Sequence, residues 1–84
     1  MTNDPIQSAV EQAVERAYAD WAAEHPGLSA VIDRIKLVEH TAASLRTSPQ
    51  FAQAVEAYHQ ARCEQALLGR LIDLAGPILR QVIQ

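Results

Sequence analysis

Apolar residues along this chain recur three and four positions apart, the spacing that gathers them on one face of an α-helix. Ile6, Val10, Ala13, Val14, Ala17 and Trp21 form the first such series, with Glu11, Glu15, Arg16 and Asp20 between them. Asp4-Pro5 marks its start: the Asp oxygen can accept from an orphan backbone N–H, and proline at the first helical position has no N–H to leave unsatisfied. His25-Pro26-Gly27 interrupts the series. Leu28, Val31, Ile35, Val38, Ala42 and Leu45 then alternate spacings of three and four, which predicts a second helix with a core seam along its length. Ser48-Pro49 repeats the cap signature, with Thr47 as an alternative cap, and no breaker follows until Gly76-Pro77. No segment alternates with period two, so strands are not expected. The pattern predicts an all-α, antiparallel three-helix bundle in a single domain over residues 1–84. Its helices fall near 5–24, 28–46 and 49–75, with a short C-terminal helical segment after Gly76-Pro77.

The third helix changes character along its length. Phe51, Ala54, Val55, Tyr58 and Ala61 make one stripe in its first half. In the second half Leu67, Leu68, Leu71, Ile72, Leu74 and Ala75 cover an arc of roughly 160°, wider than one-sided packing requires. Two surfaces are called for, in two neighbouring helices or in another chain. Ile78, Leu79, Val82 and Ile83 crowd the last seven residues and are too apolar for a solvated end. Leu67, Leu71, Leu74, Ile78, Leu79 and Val82 are therefore expected to form a self-association surface, with Leu71 and Leu74 near its centre.

Composition narrows the function classes. A domain of 84 residues hides only about 60% of its unfolded surface, so a partner that adds buried area is plausible. A homo-oligomer, a dimer first, or a partner helix is expected. Cys63 is the sole cysteine, which rules out an intrachain disulfide and a Cys-rich zinc module and suits a reducing, cytoplasmic setting. Residues 1–5 carry no basic, apolar leader, and no run approaches the ~18 apolar residues of a membrane span. Seven Lys and Arg against ten Asp and Glu give a formal charge of −3, with the cations scattered. Arg62, Arg70 and Arg80 come nearest to a basic cluster and are diluted by Glu64 and Asp73, so nucleic acid is disfavoured as a ligand. A single Arg80 in the tail argues likewise against an anionic membrane surface.

Glu56, His59 and Cys63 are the candidates for chemistry. On one continuous helix their spacing of i, i+3 and i+7 aligns them, and Glu-x-x-His is the pattern with which ferritin-like bundles hold iron or manganese. Carboxylate with imidazole suits iron, and imidazole with thiolate suits zinc. Such a site takes carboxylates from several helices, and a single Glu-x-x-His supplies only part of it, so symmetric copies would have to complete it. Glu24-His25 and Glu39-His40 point to different sides of a helix, and a Cys63–His59 nucleophile pair would require a cleft and an oxyanion hole. Tyr18, Trp21, Phe51 and Tyr58 lie on or beside apolar stripes and read as core, and the three glycines are too far apart to make a phosphate loop. The expectation is a non-enzymatic interaction module with no cofactor, acting through an apolar surface. The alternative is a metal-binding helical assembly completed by oligomerisation, using Glu56 and His59.

Overall fold

In a computed structural model of the chain, residues 4–83 are described; the reading of Met1–Asn3 as leaderless falls outside them. All regular structure among the described residues is helical. It comprises α1 (Pro5–Glu24), α2 (Pro26–Val31), α3 (Arg34–Thr47), α4 (Pro49–Ala61) and α5 (Glu64–Ile83).

The caps explain the starts of three helices. Asp4 Oδ1 accepts from Ile6 N at 3.0 Å ahead of Pro5, and Ser48 Oγ accepts from Phe51 N at 3.2 Å ahead of Pro49. Asp33 Oδ1 accepts from both Ile35 N and Lys36 N, at 3.1 and 3.3 Å, and so opens α3. Each bond satisfies an N–H that the first helical turn leaves without a partner.

That last cap breaks the expected second helix in two. Ile32 is extended (φ −88°, ψ 139°), Asp33 follows in the same region, and the chain restarts as α3. The expected seam does not survive the change of direction: Leu28, Val31 and Ile35 are 51%, 80% and 70% exposed, whereas Leu45 is buried and Val38 and Ala42 half-buried. The buried face of α3 is Leu37, Thr41 and Leu45, spaced i, i+4, i+8. At about 100° per residue Ile35 lies about 120° around the helix from Thr41, which turns it to solvent.

The expected third helix is also divided. Arg62 caps α4 in the left-handed region (φ 56°, ψ 31°), its N–H bonded to Tyr58 O, and α5 begins two residues later. On an unbroken helix Tyr58 and Leu67, nine residues apart, would face about 180° from each other. The turn lets both enter the same core, where they are 8% and 2% exposed.

The helix end expected at Gly76-Pro77 does not occur. Pro77 lies inside α5, which runs to Ile83. Proline withholds its N–H from the carbonyl of Asp73, but Pro77 and Asp73 are both exposed, so water can serve that carbonyl. On the opposite side Leu71, Ala75 and Leu79 are 0–1% exposed and hold the two halves of the helix in one packed stripe.

α5 is the central element, packed most extensively on α1 and also on α3 and α4. α1 and α5 run in the same direction: Asp4 and Ser8 share a groove with Glu64 and Gln65, and Glu24 reaches Arg80 at 3.9 Å at the other end. Their contact carries Ala9, Val10, Ala13, Val14, Ala17 and Trp21 into one core with the leucines of α5, α3's Leu37 and Leu45, and α4's Ala54 and Tyr58. Among the described residues no helix is long and apolar enough to cross a membrane.

Candidate functional site: an exposed apolar edge on α2 and α3

Among the described residues Leu28, Val31 and Ile35 are the large hydrophobic side chains that the fold leaves in solvent. They sit on a six-residue helix and the first turn of the next one, a segment fixed at two points. Upstream, Trp21 is buried at the end of α1, its ring 5.6 Å from that of His25 and 6.0 Å from that of Tyr18. Downstream, Arg34 bonds to the Glu15 carboxylate and lies over the Tyr18 ring, 5.5 Å from its centroid. Ile32, half-buried, packs against the core between these anchors. With Ile32 turned inward and Asp33 committed to the α3 cap, the residues on either side have their apolar faces turned outward. Lys36 and Glu39, exposed one and four residues beyond Ile35, place both signs of charge beside the apolar stripe.

The expected interface on α5 divides into two sets. Leu67, Leu71 and Leu79 are at most 2% exposed, covered by the chain's own helices, so none of them is available on the surface of the folded chain. Leu74, Ile78 and Val82, spaced i, i+4, i+8, are half-buried against the core and keep a partial outer face. In the tail Leu79 is buried, and Ile78, Val82 and Ile83 are half-buried against the chain's own core.

Glu56 and His59 lie on the exposed side of α4. Cys63, exposed, belongs to the turn after α4, so the helical alignment of all three residues is lost at Arg62. Among the described residues no three His, Cys, Asp or Glu side chains come together in a way that could hold a metal ion. His59 instead lies beside Tyr58, ring centroids 5.8 Å apart. A concavity of about 730 Å³ lies between the N-terminal ends of α1 and α5. Carboxylates and amides of Asp4, Glu11, Gln12, Glu64 and Gln65 form its polar lining, where Gln12 Nε2 donates to Ser8 Oγ at 3.1 Å. These side chains are exposed to solvent.

Sequence periodicity placed Leu28, Val31 and Ile35 in the core because the three-four spacing continues across residues 32 and 33. The signal against it was Asp33, an N-cap residue type in the middle of the supposed helix. Comparison with protein-family models, with curated proteins and with solved structures returned no match for this chain.

Proposed function

We propose that the chain is a non-enzymatic helical docking module whose working surface is the edge formed by Leu28, Val31 and Ile35, and that its occupant is a second copy of the same edge. The observation that carries the reading is the exposure of three large aliphatic side chains, at 51%, 80% and 70%, on one segment, whereas the other large hydrophobics among the described residues are covered wholly or in part. Large aliphatic side chains left in solvent within one short segment, with charged residues beside them, suit an association surface. The rim favours self-pairing: in a two-fold contact the same residues meet from both sides, so Lys36 of one copy can approach Glu39 of the other. In this reading α1, α3 and α5 are the three principal members of a bundle, α4 closes one side of it, and α2 presents the edge.

Sedimentation equilibrium on the wild type and on Val31→Asp and Ile35→Asp variants tests the reading. The expected result is a wild-type mass that rises with concentration, variants that remain monomeric, and melting temperatures that agree within a few degrees because both side chains are exposed. A wild type that stays monomeric throughout, or variants that associate as it does, would contradict the reading.

A further inference from the structure

We propose that α5 can be exchanged between two copies of the chain: the turn at Arg62–Cys63 opens, α4 and α5 join into one helix, and each α5 packs on the α1, α3 and α4 of the other copy. This goes beyond the docking reading and uses none of the α2–α3 edge, so the two succeed or fail separately.

Three observations converge on that turn. Among the described residues Arg62 is the non-glycine residue held at positive φ, a conformation that its Cβ disfavours, and it is exposed to solvent. The sequence across it, Ala61-Arg62-Cys63-Glu64-Gln65-Ala66-Leu67, contains neither glycine nor proline and is composed mostly of strong helix formers. Local preference therefore favours a straight helix, and tertiary packing alone imposes the turn. Lastly, the turn is what brings Tyr58 and Leu67 into one core. Once straightened, their faces point about 180° apart and can both be buried only if they enter two different cores.

Geometry makes the second core another copy. A continuous helix over residues 49–83 would be about 52 Å long, against a longest dimension of 42 Å for the folded chain. α5 would then leave its place beside α1, exposing the stripe of Leu67, Leu71, Ala75 and Leu79 together with the groove that received it. In a second opened chain that groove is identical, so the same contacts re-form between copies and only the turn changes. A short, strained connection of this kind is the condition under which elements exchange.

The experiment is to unfold the wild-type chain, refold it at high protein concentration, isolate any dimer by size exclusion and follow its mass after dilution. An exchanged dimer dissociates only by breaking the core, so it should persist for hours, whereas a surface contact re-equilibrates quickly. Arg62→Gly relieves the turn and weakens the straight helix. It should lower the dimer association constant by roughly a hundredfold, about tenfold for each of the two turns. Arg62→Asn, which tolerates the left-handed conformation, should shift it in the same direction. Arg62→Ala removes the charge but keeps the Cβ, and should stay within about threefold of wild type. Val31→Asp should leave the slow dimer intact. The proposal is overturned if refolding yields monomer alone, if the dimer re-equilibrates within minutes, if glycine and alanine at position 62 have the same effect, or if Val31→Asp abolishes the slow dimer.

Discussion

Single residues decide which face of α3 is inside. Leu37, Thr41 and Leu45 face the core, and Ile35, although the more hydrophobic neighbour, faces water. Leu45→Ala should accordingly cost about 2–5 kcal/mol through lost burial and a residual cavity. Ile35→Ala should change stability by less than about 0.5 kcal/mol. Urea unfolding of the two variants checks this, and equal losses would mean that the face has been assigned wrongly. Thr41 is the odd member of the stripe. Its side chain is fully buried, and among the described residues Oγ1 finds no hydrogen-bond partner. A hydroxyl removed from water without compensation destabilises, so Thr41→Val, similar in shape, should raise stability by about 1 kcal/mol in the same assay. Leu45 was legible in the sequence as a core residue. Ile35 was misplaced because periodicity counts residues as though the helix were unbroken, and one side-chain cap at Asp33 resets the count.

At the level of elements, sequence and structure agree where local chemistry and packing point the same way. Asp4-Pro5 and Ser48-Pro49 start helices as expected, and α1 ends at Glu24 where the first helix was expected to end. They disagree where packing overrules local preference. Gly76-Pro77 reads as a stop, yet the apolar stripe from Leu67 to Leu79 carries α5 through it; Arg62 carries no stop signal, yet the chain turns there. Pro77→Ala should restore the missing N–H to the Asp73 carbonyl and stabilise the protein by about 1–3 kcal/mol, read as a higher melting temperature. A drop would show that α5 needs its proline. Gly69 lies in the exposed interior of α5, and a Cβ built there meets nothing within 4 Å. Gly69→Ala should therefore add about 0.5–1 kcal/mol.

For the whole molecule, the all-helical class was legible from periodicity alone, and periodicity also separates two apolar stripes in the region from Phe51 to Ala75. The way those surfaces are used was not legible, because it depends on a turn that no residue type announces. The expected surfaces are redistributed for a related reason: residues that look like a seam become an exposed edge once α2 and α3 part, and Leu67, Leu71 and Leu79, three of the six residues that look like an interface, enter the core once α5 is central. Association through the edge of Leu28, Val31 and Ile35 is the proposal on which the functional reading rests. The most direct test is a concentration series of amide nitrogen–proton NMR spectra of the wild-type chain. The expected result is a set of shifts or broadening that grows with concentration and is confined to residues 26–39. Spectra that do not change with concentration, or changes centred on the groove between Asp4 and Glu64, would contradict it.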